Sequence, residues 1–446
     1  MDSRSKPAAT DRPHTASPTV AVVGGGLAGL VAARHLAAAG VDAMVYERED
    51  RVGGRVRTRD RDGFRLDRGF QVLFTSYPAV QSELDLDALE LRRFAPGACL
   101  ARPDRRSTLA DPLRDPRALP ATLFNADVSM RDKLRVLTLR RELQRRDPAH
   151  IFDDGEPDVS TEKFLREYGF SDQFIERFAA PFYGGITLDR SLSTSRRVFE
   201  YTFRALATGS IAVPAAGMEA IPRQLAEAAR AEGVRIETGR RVESIDASGA
   251  TAAGARGASL SVDGERRDVD AIVVATDPPT AADLTGVDSI PTDARSCVTQ
   301  YYRLPGTVDL DTDKRLLLNV SESGPNHVVP HSEVAPEYAP ADETLLSATY
   351  LGSPDATEAE LAETTRETLA AWFPERVFDE VDLLHTDRIE FAQFAQPPGV
   401  HETLPAHRAP DGPAYLAGDY TAWSSIQGAM ASGRRAAQAV VADLNG

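Results

Sequence analysis

The run Thr19-Val20-Ala21-Val22-Val23 is apolar and β-branched, and it breaks abruptly into Gly24-Gly25-Gly26-Leu27-Ala28-Gly29 before an alanine-rich stretch that ends at Gly40. So short an apolar run reads as a buried parallel strand, and the alanine-rich stretch reads as a helix with a glycine stop. Strand, tight turn and helix in that order open a doubly wound α/β sheet with a dinucleotide cradle at the turn. The glycines have separate tasks: Gly24 turns the chain, Gly26 admits a diphosphate to the backbone, and Gly29 lets helix and strand pack closely. Main-chain amides at Leu27 and Ala28, on the positive end of the helix, supply the charge complement. A second apolar run, 43–46, delivers Glu47, with Arg48 beside it, 23 positions after Gly24. That is near the spacing of a carboxylate that accepts ribose hydroxyls, so a free 2′-hydroxyl is favoured over a 2′-phosphate.

The continuation Arg51-Val52-Gly53-Gly54-Arg55-Val56-Arg57-Thr58 separates this chain from the nicotinamide enzymes that share such a glycine turn. Gly53 and Gly54 offer a second pair of positions without side chains, and Arg55 offers a diphosphate a planar fork of donors. Together these clusters read as a site for FAD. From residue 22 to residue 58 the sequence resembles the N-terminus of the superfamily of FAD-dependent amine oxidases, phytoene desaturases (carotenoid dehydrogenases) and protoporphyrinogen oxidases. The resemblance recurs where Gly418-Asp419 leads into Ser425-Ile426-Gln427-Gly428 and a run of small residues. It implies Asp419 on the ribityl or diphosphate region, and a helix N-terminus at Ser425, Ile426 and Gln427 facing the flavin pyrimidine ring. Amides there can stabilise negative charge on reduced flavin. Gly428, Ala429, Ser432 and Gly433 would let either a flat ligand or another backbone come close. The stretch 66–72 is similar to the family segment beside the isoalloxazine, which makes Gly69, Phe70 and Gln71 the expected flavin neighbours. The resemblance also puts backbone at Val242 near adenine and Thr276 beside the cofactor, and both positions read equally well as core strand.

The implied architecture is α/β: a Rossmann-like FAD-binding domain of the glutathione-reductase type with an inserted α+β substrate or cap domain. Alternation of strands and helices at 19–75, 210–285 and 405–446 assembles a discontinuous FAD domain, 76–209 and 286–404 build the cap, and 1–18 reads as a disordered tail. In the cap, 172–182 carries Phe174, Ile175, Phe178 and Phe182 as a helical stripe expected to stop before Gly184-Gly185. Residues 153–156 read as a solvated loop. The basic stretch 131–146 either pairs within its own helix or touches an anionic lipid surface, so peripheral membrane contact stays open. His327 and His331 have i, i+4 spacing, but Pro330 between them argues against one helix and no third ligand is near, so no metal is expected.

With 67 Asp and Glu against 51 Lys and Arg the formal net charge is −16, which disfavours nucleic acid as a partner. Cys99 and Cys297 are the only cysteines; they form neither a disulfide framework nor a C-x-x-C pair, and a cytoplasmic location is the default. Neither stands shortly before Gly418, where some of the resembled enzymes attach flavin to cysteine, so FAD is expected to be noncovalent. No uninterrupted apolar stretch reaches the ~20 residues that span a bilayer.

FAD can take a hydride from carbon while the protein orients the substrate and excludes water. Residues 181–186, with Leu192-Ser193, resemble a segment shared by phytoene desaturases and protoporphyrinogen oxidases. Amine oxidases commonly keep a lysine near the flavin, whereas lysine occurs here only at Lys6, Lys133, Lys163 and Lys314. The expected function is an FAD-dependent oxidoreductase acting on a small apolar substrate, foremost a carotenoid-desaturase-like dehydrogenase. Oxidation of an amine or a tetrapyrrole is the alternative, and a flavin-dependent carotenoid isomerase or a non-catalytic lipid binder of the same fold is the alternative of another class. The catalytic side chains, the oligomeric state and the electron acceptor, oxygen or quinone, stay open.

An acidic chain so poor in lysine suits a high-salt, halophilic cytoplasm, where screening offsets carboxylate self-repulsion; GC-rich codon usage would also replace lysine with arginine. On the halophilic reading the thermal unfolding midpoint climbs as KCl is raised to molar concentration, and a midpoint indifferent to salt would end that reading.

Overall fold

The computed structural model describes residues 17–445 apart from 104, 112, 250–256 and 309, so the expected tail lies, up to residue 16, outside the described residues. Five parallel strands form a central sheet in the order Arg235–Thr238, Asp42–Glu47, Thr19–Val23, Ala271–Val274, Ala414–Leu416. A parallel sheet is covered on both faces, so its strands read as continuous apolar runs, and Val22, Val45 and Val273 have no exposed surface. Helices Leu27–Ala38, Ala220–Ala231 and Ile426–Leu444 cover one face through Ala28, Ala32, Leu36, Ala229, Ala436 and Val440. On the other face lie Val242–Asp246, Ala258–Val262 and Glu265–Val269, which pair as a three-stranded antiparallel sheet.

This layer is held by backbone lying on backbone. Gly24 has φ of +108°, and its amide donates to the Tyr46 carbonyl at 2.8 Å. A Cβ on Gly29 would stand 2.0 Å from the Gly24 carbonyl oxygen, and one on Gly433 would stand 2.2 Å from that of Ala28. Helix Leu27–Ala38 is therefore pressed against the first strand on one side and helix Ile426–Leu444 on the other, at separations no side chain tolerates.

The cap is built on a seven-stranded sheet in the order Asp382–Phe394, Ala294–Pro305, Glu343–Leu351, His327–Pro330, Leu317–Asn319, Gly97–Arg102, Arg105–Ala110. Helices Met130–Arg145, Thr161–Tyr168 and Arg196–Thr208 share a second cluster with Leu139, Leu143, Leu165, Phe174 and Phe199. Two expectations are corrected here. The helical stretch from Asp172 runs on through Gly184-Gly185 to Thr187, with a π turn at Ile175–Ala179, and ends at Leu188 with φ of 55°. These glycines give contact and not a stop: a Cβ on Gly184 would lie 2.7 Å from Arg190 Cα, and one on Gly185 would lie 2.8 Å from Asn326 Nδ2. The stretch 153–156 is also no merely solvated loop. Asp154 accepts from Arg196 at 2.7 Å and the Glu156 carbonyl from Arg197 at 3.0 Å, because those two guanidiniums, only 5% exposed, need partners inside the fold. Among the described residues no helix is long and apolar enough to cross a membrane.

Gly433→Ala tests the close approach. The added methyl has no space, and overpacking of this kind costs about 1–3 kcal/mol, so the thermal midpoint should fall by several degrees. An unchanged midpoint would show that the two helices are farther apart than described.

Candidate functional site

A cavity of about 1220 Å³ is lined from both the parallel sheet and the cap. That exceeds the roughly 300–1,000 Å³ usual for one ligand, and its walls have two characters.

The first half is main chain and matched charge. Gly24, Gly26, Leu27, Ala28, Glu47, Arg48, Gly53, Gly54 and Arg55 line it, as do Val242, Thr276, Gly418, Asp419, Ser425 and Ile426. Two residues singled out in the sequence do not. Gly29 is spent on helix packing, and Gln427 turns away so that its Oε1 accepts from the Ala79 amide at 2.8 Å, tying helix Ile426–Leu444 to helix Pro78–Glu83.

Gly26 shows most directly what this half can hold. Its φ of −75° and ψ of 180° suit any residue, and a Cβ built on it would meet nothing within 4 Å. Neither strain nor packing requires glycine there, which leaves the space itself, wanted for a guest. The helix that begins at Leu27 has no side-chain cap, so its first-turn amides face the same space and form an anion site. Helix Ile426–Leu444 differs: Ser425 Oγ caps it by accepting from the Gly428 amide at 2.8 Å.

Glu47 is buried and held rigidly. Its Oε2 accepts from the Gly25 amide at 2.7 Å and its Oε1 from the Glu49 amide at 2.9 Å, which leaves each oxygen a further lone pair for a hydroxyl donor. Arg48 lies 3.6 Å from Asp277. Arg55 is more committed than the sequence suggested. It donates to Asp419 Oδ1 at 2.7 Å and to the Ala392 carbonyl at 3.2 Å, while Ser424 donates to Asp419 Oδ2 at 3.0 Å. A diphosphate would therefore meet a matched ion pair and not a free cation.

Gly69, Phe70 and Gln71 also line the cavity, on a segment fixed by a clasp that sequence reasoning missed. Buried Asp67 accepts from Thr58 Oγ1 at 2.6 Å, the Met218 amide at 2.9 Å and the Tyr338 hydroxyl at 3.0 Å. Tyr301 donates to the carbonyls of Asp67 and Gly69, at 2.7 and 3.1 Å. Burial pushes the Asp67 carboxyl up to about 6, against the pull of those hydrogen bonds. Alternation gave no signal for it, because Asp67 falls in phase with half-buried Arg65 and not with buried Phe64 and Leu66 in strand Phe64–Asp67.

The second half is hydrocarbon and aromatic. Phe74, Tyr77, Phe182, Ile186, Val198, Ile211, Leu318 and Trp423 line it, and the segments 180–187, 196–208, 211–214 and 317–319 present no charged side chain to it. Phe182 of the predicted stripe reaches this wall, whereas Phe174 and Ile175 stay in the helical core. No lysine among the described residues lines the cavity, and no group of three or more potential metal ligands occurs among them. His327 lines the second half from a strand and His331 opens a short helix, so the pair does not share a helix face.

Gly26→Ala separates ligand space from fold. The alanine protein should match the parent in far-UV circular dichroism yet lose most bound flavin on purification; full flavin occupancy in the variant would show that this space is not used.

The model of the flavin containing amine oxidoreductase family matches residues 27–441. A phytoene dehydrogenase from Streptomyces griseus is 32% identical over 294 residues, covering 60% of this chain and 56% of that one. A coproporphyrinogen III oxidase from Propionibacterium freudenreichii is 32% identical over 201 residues, 40% of this chain and 36% of that one. The chain thus spans about half or less of the length of these curated relatives. In fold, it is similar to the cyclohexylamine oxidase of Brevibacterium oxydans, with a TM-score of 0.67 over 96% of this chain and 100% of that one at 17% identity. With the match running through nearly all of the described residues, the chain belongs to the flavin containing amine oxidoreductase family, whose members are FAD-dependent oxidoreductases.

Proposed function

We propose that this protein is a desaturase-like dehydrogenase that oxidises an apolar polyene chain, with FAD held noncovalently in the first half of the cavity. Gly24, Gly26 and the amides of Leu27 and Ala28 take the diphosphate, Glu47 takes the ribose hydroxyls, and the Arg55–Asp419 pair stands by the ribityl side. The clasp on Asp67 sets Gly69, Phe70 and Gln71 beside the flavin ring system, with Ile426 at the head of its helix opposite. FAD, when bound, supplies a hydride acceptor. The chain's own contribution is to position and dry the reacting carbon: Phe182, Ile186, Val198 and Leu318 strip water from an apolar guest and align it.

The observation that carries this reading is the uncharged stretch of wall made by 180–187, 196–208, 211–214 and 317–319, which lies apart from the one carboxylate that lines the cavity beside Gly69, Asp387, whose Oδ2 accepts from the Gly69 amide at 3.2 Å. An amine cation would need a carboxylate there, and a tetrapyrrole bearing several carboxylates would need cations, whereas a hydrocarbon chain is satisfied by the wall as it stands. The likeness to the Streptomyces griseus phytoene dehydrogenase supports the same direction.

Flavin absorbance followed anaerobically during addition of polyenes, amines and tetrapyrroles decides the matter. Polyenes should bleach the oxidised flavin band; bleaching by an amine or a porphyrinogen alone would refute the desaturase reading. Product formed while the flavin stays oxidised throughout would refute hydride abstraction.

A further inference from the structure

Among the described residues six large apolar side chains stand exposed, and five of them, Leu113, Leu119, Leu123, Met130 and Leu134, come from one stretch of the cap. Single exposed leucines are ordinary, whereas a cluster of them marks a surface that meets something other than water. Two ties hold the segment of the first three beside the helix that carries the other two. Arg140 donates to Asp111, whose Oδ1 accepts from the Leu113 amide at 3.0 Å, and Lys133 donates to the carbonyls of Leu123 and Asn125 at 3.3 and 2.9 Å. Met130 and Leu134, 52 and 61% exposed, lie one turn apart on helix Met130–Arg145, on the side opposite buried Leu139 and Leu143.

The charge on this surface runs against that of the chain. Residues 113–146 hold nine Lys and Arg against four Asp and Glu, in a protein of net charge −16. Two of those four acids, Asp127 and Asp132, are buried. Pairing within the helix, one of the two readings of this stretch, accounts for little of it. Asp132 with Arg135, at 3.9 Å, is the one ion pair inside Met130–Arg145 among the described residues, and Glu142 accepts from the Tyr168 hydroxyl instead. Arg117, Arg131, Arg141 and Arg145 are exposed, with no carboxylate at ion-pair distance among the described residues. Arg141 and Arg145 continue the helix face of Met130 and Leu134, two and three turns on.

We propose that this surface docks the protein on a lipid bilayer rich in anionic headgroups, with the leucines and Met130 at the boundary between headgroups and acyl chains and the four arginines on lipid phosphates. A bilayer answers both halves of the surface at once. Nucleic acid would leave the leucines in water. A second copy meeting the same face across a two-fold axis would set arginine against arginine. Carboxylates elsewhere on the chain are repelled by the same membrane, so this side alone turns inward. The inference is independent of the guest in the chamber, since none of these residues lines the cavity.

The FAD-loaded protein is sedimented with vesicles of phosphatidylcholine alone and of phosphatidylcholine mixed equally with phosphatidylglycerol, at roughly 0.1 M KCl, where the Debye length is about 10 Å. It should bind the mixed vesicles at least about tenfold more tightly. The triple substitution Arg131→Gln, Arg141→Gln and Arg145→Gln should weaken that binding about a hundredfold, at about fivefold for each arginine near the surface. Leu123→Ser with Leu134→Ser should weaken it at least about tenfold. Both variants should keep the flavin occupancy and far-UV circular dichroism of the parent, so that lost binding is not lost fold. Should either fold poorly, lipid preference and release by added KCl in the unmodified protein decide. No binding, equal binding to both vesicles, or undiminished binding by the arginine variant would overturn the proposal. Undiminished binding by the leucine variant would overturn it as well, by reducing the surface to a charge capture that any polyanion could supply. A dimer in sedimentation velocity that the leucine variant dissolves, without vesicle binding, would assign the face to a second copy.

Discussion

Backbone pressed against backbone is the constraint from which the rest of the molecule follows. Helix Leu27–Ala38 has the Gly24 carbonyl under Gly29 on one side and Gly433 against its own Ala28 carbonyl on the other, so its axis has no freedom to shift. That fixes where its uncapped N-terminus points and how much of its amide dipole reaches the cavity. A larger side chain at either glycine would move the helix by the width of a methyl group or more, and the amides would move with it. Binding by main chain has this cost: nothing local can compensate, because there is no side chain to adjust.

The cavity joins two solvents in one space. In its first half charges are present but already balanced, Arg55 by Asp419 and Arg48 by Asp277, and Glu47 is held by amides. Such an environment can receive a doubly charged diphosphate without rearranging and can release it without leaving a bare buried cation behind. The second half is low in polarity and strengthens any single electrostatic contact made inside it. The clasp on Asp67 stands at the seam, where strand Phe64–Asp67, Tyr301 of the cap sheet and Tyr338 meet, so the flavin-side segment is positioned by both parts of the fold at once.

The first half was legible in the sequence because a chain that binds with bare backbone must place glycine at set intervals, and those intervals survive as a pattern. Gly24, Gly26, Glu47, Gly53 and Gly54 could be picked out that way, and Asp419 only through the resemblance that Gly418-Asp419 carries. The second half left no such trace. Phe74, Phe182, Val198, Ile211 and Leu318 come from five separate segments that meet only after folding, and apolar residues serve core and cavity wall alike. Glycine itself misled at Gly184-Gly185, where close contact inside a helix was read as a helix end. Asp154 and Glu156 were read as solvated because their partners, Arg196 and Arg197, lie some forty positions on.

The ion pair between Arg55 and Asp419 joins residues 364 positions apart. Ribosomes add roughly 5–20 residues per second, so tens of seconds separate the emergence of the glycine turn from that of its last counterpart. Through that interval the nascent polypeptide carries an arginine without its carboxylate and a parallel sheet without its strand Ala414–Leu416. The complete cradle for the coenzyme therefore exists only once the segment that carries strand Ala414–Leu416 and Asp419 has been made.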